Sequence, residues 1–381
     1  MGSAEGFQLL ASGDAEGAAE AFSRALAEHP SDADALLGLA RVRMAQRQLE
    51  DARAALERLV AIRPSREAES HLALIDALSG DDAALGRLRE LAAAPGAGFY
   101  ERFDLGLVLA ARGDLPGAER ALEGALELEP RSVHAAVELG KLALDRGDSA
   151  LAVQRFTRAA AAAPALSLPL ALLARAHLAR GERGAAIRAL ARALERAPNE
   201  KPLYEQLVRV CLDAGAPKQA AAAAAELRRI DPASARAALL EGEATLAMGR
   251  SEEAKRIFAR ARELASGSWE PDYWLARAHR AAGDLEQAFV LLERCAAAAP
   301  EQPGPAAELA SILLARGQSD RARAVLARTL STHPEDARAH LLMARAIARE
   351  DRSAAIAHAR RAARAADPDL RDQAEKLLRE L

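Results

Sequence analysis

Apolar positions in Phe99 to Pro130 fall into two stripes, one opened by Leu105-Gly106 and one running through Ala118, Leu122 and Ala125 into Pro130, with Gly113-Asp114 between them. Leu, Ala and Phe recur every three or four residues within each stripe, the period of one helical face. The next stretch repeats the plan with Leu139-Gly140, Gly147-Asp148, Ala152, Phe156, Ala159 and Pro164. Glycine tolerates the left-handed residue that follows a helix, Asp can cap the helix after it, and proline cannot continue a helix. The pattern therefore predicts helical hairpins. Proline, or in one case serine, closes them at 130, 164, 198, 232, 266, 300, 334 and 368, a fixed step of 34 residues. A period of that length means one supersecondary unit copied along the chain.

These residues resemble the tetratricopeptide repeat (TPR), whose pattern is a Leu-Gly or Leu-Ala pair, a mid-repeat turn, an Ala, an aromatic or Leu, an Ala and a terminal Pro. Further copies carry Leu173-Ala174, Gly181, Ala186, Leu190 and Pro198, then Leu207, Gly215, Ala220, Leu227 and Pro232. Others carry Gly242, Gly249, Phe258 and Ala261, then Leu275-Ala276, Gly283-Asp284, Leu292 and Pro300, then Leu309-Ala310, Gly317, Leu326 and Pro334. Upstream, Gly6, Gly13-Asp14, Phe22 and Pro30 form a first copy and Leu39-Ala40, Leu56 and Pro64 a second. The resemblance implies an all-α fold, a right-handed superhelical α-solenoid of about eleven hairpins.

Departures from the period suggest the organisation. Ser65 to Pro95 is a short copy whose second half is irregular, and Ala94-Pro95-Gly96-Ala97-Gly98 reads as a linker. The expected division is an N-terminal stack over 1–95 of about three repeats, the third degenerate, and a main stack over 96–368 of about eight. The alternative is one degenerate repeat packed in line. A bend is expected near 266–271, where Ser266-Gly267-Ser268 displaces the closing proline to Pro271. Asp351 stands where the last copy would keep its turn glycine, and 369–381 reads as a C-terminal capping helix with Leu370, Ala374 and Leu377 on its apolar stripe.

Composition changes the picture little. Apolar residues make up 50% of the 381 residues and aromatics only 3%, so the core is Ala and Leu at close helix spacing. No stretch suggests a membrane span or a secretory signal, so cytoplasmic localisation is expected, or periplasmic if a native signal has been removed. The 47 Arg to 5 Lys and abundant Ala suggest a GC-rich, bacterial genome. The net charge of −3 is unevenly spread, with −10 over residues 1–130 and +7 over the remainder, which favours oriented encounters and leaves head-to-tail self-association open.

Catalytic and metal motifs are missing. Cys211 and Cys295 lie on apolar stripes of different copies, the eight histidines form no helical i, i+4 pair, and no Gly-x-Ser-x-Gly or Walker-type run occurs. No cofactor, metal or catalytic residue is expected. The single asparagine, Asn199, excludes the two-asparagine carboxylate clamp known in chaperone-binding TPR domains.

Aligning the copies singles out the residue after the small residue of each first helix, about 200° round the helix from the Leu that packs into the stack. The row reads Phe7, Arg41, Leu107, Lys141, Arg175, Arg209, Glu243, Arg277, Ser311 and Arg345, six of ten basic. In TPR arrays this side of the first helix lines the concave groove. The partner-binding residues expected are thus Arg41, Lys141, Arg175, Arg209, Arg277 and Arg345, joined by Tyr273 and Trp274 as aromatic anchors or, alternatively, as plugs of an irregular junction. The function implied is a non-enzymatic scaffold or adaptor that takes a protein or peptide segment, acidic and extended, with neither nucleic acid nor membrane as partner. Two alternatives stay open, an RNA-binding helical-repeat protein, against which a pI near 6.3 argues, and the repeat part of a larger enzyme or of an envelope or secretion assembly protein.

Overall fold

The computed structural model describes residues 2–381, and these residues form 23 α-helices and no strand. The chain divides into two compact units, 1–203 and 204–381. In the first, the hairpins are α1 (Gly2–Ser12) with α2 (Ala15–Glu28), α3 (Ala33–Ala45) with α4 (Leu49–Ile62), and α5 (Arg66–Leu78) with α6 (Asp82–Ala93). They continue as α7 (Phe99–Ala111) with α8 (Leu115–Leu128), α9 (Val133–Asp145) with α10 (Ser149–Ala162), and α11 (Leu168–Ala179) with α12 (Arg183–Arg196). The unit boundary falls in the first turn of α13 (Lys201–Asp213). The second unit continues with α14 (Pro217–Ile230), α15 (Ala235–Ala247) with α16 (Ser251–Leu264), and α17 (Glu270–Ala281) with α18 (Leu285–Ala298). It ends with α19 (Pro303–Ala315) and α20 (Ser319–Thr332), α21 (Ala337–Ile347) and α22 (Arg352–Ala362), and the single helix α23 (Pro368–Glu380). Eleven hairpins and a last helix match the count expected from the period.

The turns form for the reasons the sequence suggests. Gly13 takes a φ of 87°, and in the next copy Arg47 holds the same place at 59°, the one non-glycine with positive φ among the described residues. The Asp that follows caps the second helix: Asp14 Oδ1 accepts from the Gly17 N–H at 2.9 Å and Asp148 Oδ1 from the Leu151 N–H at 2.9 Å. Asp351 corrects the sequence reading. Its φ is −137° and its carboxylate accepts from the Ala354 N–H at 2.9 Å. It is therefore the capping Asp itself, and the last turn has lost a residue instead of replacing its glycine.

Within a hairpin the helices cross where two positions 16 residues apart have complementary sizes. Gly6, Gly140 and Gly242 stand opposite Phe22, Phe156 and Phe258, all three rings fully buried. A Cβ on Gly140 would come 2.5 Å from the Phe156 ring, so the ring occupies the space a side chain would need. Where the first position is Ala the second is Leu, as in Ala40 and Leu56, Ala276 and Leu292, or Ala310 and Leu326, and Val208 stands opposite Ala224. Successive repeats are tied by arginines of the second helices. Arg58, Arg158 and Arg260 donate to the carbonyls of Pro30, Pro130 and Pro232, 28 residues earlier, at 2.9, 2.8 and 3.4 Å.

The short copy is packed differently. Its second helix, α6, buries only Ala84 and Leu88, and α5 packs directly on α7, the first helix of the next copy. Ala97 and Phe99 are buried at the entry to α7, and Arg66 donates to the Pro95 carbonyl at 3.1 Å. At the other end α23 buries Ala374 and lays Leu370 and Leu377 against Leu341 and Ala362, closing the apolar end of the second unit.

Candidate functional site

A residue just past the small crossing position of a first helix points away from the second helix, and side chains at that place in the first unit reach along the neighbouring copies. The Arg41 Nε of α3 donates to Glu67 Oε1 of α5 at 3.0 Å, and its guanidinium lies 4.4 Å from the centre of the Tyr100 ring of α7. Arg41 is thereby engaged within the protein. Lys141 donates to Glu138 of its own helix at 2.7 Å, whereas Arg175 on α11 is exposed and has neither ion pair nor hydrogen bond among the described residues.

Beneath Arg41 lies a polar cluster that sequence reasoning missed. His71 is 3% exposed and sits between two carboxylates, with Nδ1 at 2.7 Å from Asp104 Oδ2 and Nε2 at 3.4 Å from Glu67 Oε1. Ser70 donates to the same Asp104 oxygen at 2.8 Å. Burial works against the charged imidazolium, but Asp104 and Glu67 together outweigh it and raise the His71 pKa to about 9. Burial likewise opposes the Glu67 charge, and His71 and Arg41 overcome it and lower that pKa. Ser70 turns to Asp104 and not to the imidazole, so the trio is not arranged as nucleophile and base. One sign of the cluster was present in the sequence: Asp104 stands between Phe103 and Leu105, where the apolar stripe calls for a hydrophobe.

In the second unit the row is Arg209 on α13, Glu243 on α15, Arg277 on α17, Ser311 on α19 and Arg345 on α21. Arg209 is exposed and, among the described residues, without ion pair or hydrogen bond. Arg277 has no carboxylate either; its guanidinium lies over the Trp274 ring at 4.5 Å and near Tyr273 at 5.9 Å. Trp274 in turn stacks on the buried Phe258 with ring centres 6.0 Å apart. Tyr273 reaches toward α19, where a Cβ on Gly304 would come 3.3 Å from its hydroxyl. Arg345 donates to Gln373 of α23 at 3.3 Å, and with Ser311 it borders an open cavity of about 960 Å³.

The acids of this face are mostly matched. Arg236 lies between Glu205 and Glu270 at 3.6 and 3.5 Å, and the buried Glu308 is held by Arg280 and, at 3.1 Å, by Arg338. Glu243 differs in having no ion pair: it is 8% exposed, and its Oε1, like Oε2 of Glu308 and Oδ1 of Asp272, is buried with no hydrogen-bond partner. Burial raises its pKa, and the nearby Arg209, Arg236 and Arg277 do not offset it. The two thiols suit no chemistry. Burial pushes Cys211 up and, with Asp272 beside it, Cys295 up to about 12. Among the described residues no group of three His, Cys, Asp or Glu side chains could hold a metal, and no helix is long and apolar enough to cross a membrane.

Comparison with known proteins agrees with the hairpin array. Two family models, both described as tetratricopeptide repeat, match residues 9–75 and 279–346, and 103–167, 172–235 and 239–303. No curated protein sequence matches. Among solved structures, yeast Tom70 is similar over 100% of this chain and 94% of its own, at 13% identity and a TM-score of 0.55. A tetratricopeptide repeat protein from Parabacteroides merdae is similar over 65% of this chain and 98% of its own, at 18% identity and a TM-score of 0.51. The MamA protein shares 27% identity over 44% of this chain and 91% of its own, with a TM-score of 0.40.

Proposed function

We propose, since this chain belongs to the tetratricopeptide repeat family, that it is a non-catalytic scaffold whose second unit captures an extended, carboxylate-bearing segment of a partner protein along its first helices. The family and fold support a protein-interaction scaffold in general. The acidic character of the partner rests on one observation: Arg209 and Arg277 stand on that face with no acid of the protein at ion-pair or hydrogen-bond distance. A guanidinium left without a carboxylate is a ready bidentate donor to one from outside. Trp274 strengthens the case for Arg277, because stacking holds the guanidinium in place before anything binds and reduces the side-chain entropy lost on binding. Arg41 is engaged by Glu67 and Tyr100, and the exposed Arg175 lies in the first unit. With a net charge of −3 the chain lacks the basic surplus that phosphate binding calls for.

The test is fluorescence anisotropy with a labelled acidic peptide of about 12 residues. Each charge-assisted contact is worth about 1.5–3 kcal/mol, so Arg209→Glu together with Arg277→Glu is expected to weaken binding at least a hundredfold, with circular dichroism confirming that the double variant is folded at the assay temperature. Equal affinity of the double variant would remove the proposal, and equal binding of the same peptide with Gln for every acid would remove its electrostatic basis.

A further inference from the structure

Along the first-helix face of the second unit the charge reverses once, from Arg209 to Glu243 and back at Arg277. The reversed member is also the orphan. Glu243 is buried to more than nine-tenths, and its Oε1 has no hydrogen-bond partner. Its neighbours show that this is not a shortage of cations. Arg236 is taken by Glu205 and Glu270, and Arg277 lies over Trp274. The other buried acids of the unit also carry an oxygen without a hydrogen bond, Asp272 Oδ1 and Glu308 Oε2, but each is ion-paired, Asp272 by Arg262 and Arg294 at 3.5 and 3.1 Å and Glu308 by Arg280 and Arg338. Arg209, Arg236 and Arg277 lie near enough to favour the Glu243 charge, yet none reaches it as a hydrogen-bond or ion-pair partner, and a buried carboxylate without such a partner on a binding face is a site that a donor from outside can complete.

We infer that Glu243 is a specificity-determining residue that receives a lysine ammonium from the bound segment, so that the partner carries an acidic, a basic and an acidic side chain in turn. The inference rests on the groove reading above and refines it. First helices of successive repeats adjoin, as α15 and α17 do, and packed helices lie about 10 Å apart. A segment in the polyproline II conformation rises about 3.1 Å per residue with three residues per turn, so side chains three residues apart share one face and match that step. The segment expected is Glu-x-x-Lys-x-x-Glu. A segment acidic throughout would place a carboxylate against Glu243, and like-charge contact of that kind discriminates against the wrong partner.

Three labelled peptides test this by anisotropy: Glu-x-x-Lys-x-x-Glu, and the same peptide with Gln or Glu in the central place. The lysine peptide is expected to bind the unaltered protein at least tenfold more tightly than either of the others. Glu243→Gln should erase that preference, and Glu243→Lys should turn it toward the all-acidic peptide. Equal or tighter binding of the all-acidic peptide by the unaltered protein overturns the inference, as does a preference that survives Glu243→Gln. The outcomes separate the two readings. If Arg209→Glu with Arg277→Glu weakens all three peptides while the central residue makes no difference, the acidic groove stands and the role of Glu243 falls. If none of the peptides binds, both fall.

Discussion

His71 is a cation held by its surroundings, with Asp104 and Glu67 on its two nitrogens and water excluded from both. Its pKa of about 9 in the folded protein lies above the 6.5 of an unperturbed imidazole. A raised folded-state pKa gives stability that is fully present below pH 6.5 and is lost as pH rises through 9. The shift corresponds to about 3 kcal/mol. Urea midpoints followed by circular dichroism should therefore fall between pH 6.5 and 9, and His71→Gln, which carries no charge to lose, should be less stable at pH 6 and flat over that window. Parallel slopes for the two proteins would show that the imidazolium contributes nothing. Neither helical period nor motif spacing marks His71 beforehand, because its partner lies 33 positions further on, on the first helix of the next copy. The charged row was legible in the sequence, but which of its arginines are engaged was not. Arg41 and Arg277 occupy equivalent places, and only the carboxylate of Glu67 on the adjoining helix separates them.

Hairpins were the most legible part of this chain, since stripe, turn and closing proline each act within a few residues. Size complementarity at the helix crossing adds a rule that the period alone does not contain: a large ring needs a missing Cβ, and a smaller Leu faces Ala in several copies, although at Gly106 a Cβ would still come 2.6 Å from Leu122. Gly140→Ala should cost about 1–3 kcal/mol by overpacking Phe156, and Phe156→Leu about 1 kcal/mol or more through the space it leaves. Together they rebuild the Ala and Leu pair present in other copies, so the double variant should be more stable than the sum of the two changes predicts, by about 1–2 kcal/mol. Thermal melts of the four proteins give the cycle, and strict additivity would mean that the two positions do not share one space. The irregular places were less legible because they depend on what packs from elsewhere. Nothing within Ser65 to Pro95 states that α6 will bury two residues only, and the length of the last turn shows only once Asp351 is seen to cap α22.

In an array of this kind contacts stay within a copy or between adjacent copies, and its stability is close to a sum of repeat and neighbour terms. A substitution in one copy is therefore felt by the copies beside it and fades with distance. Phe156 provides the test within the first unit. It is fully buried in α10 against Gly140 of α9, and truncating such a ring to Ala costs about 3–5 kcal/mol. In a cooperative globule that loss would speed hydrogen exchange wherever protection depends on global unfolding. Here Phe156→Ala should speed exchange in α9, α10 and α11 by two orders of magnitude or more and leave α1 to α4 as they were. Mass-spectrometric exchange on peptides from both regions decides the matter, and a rise of equal size in α1 to α4 would mean that the first unit opens as a single body. A graded response has a functional consequence for a scaffold, because a partner docked on a few repeats would stabilise those repeats and their neighbours without changing the rest of the chain.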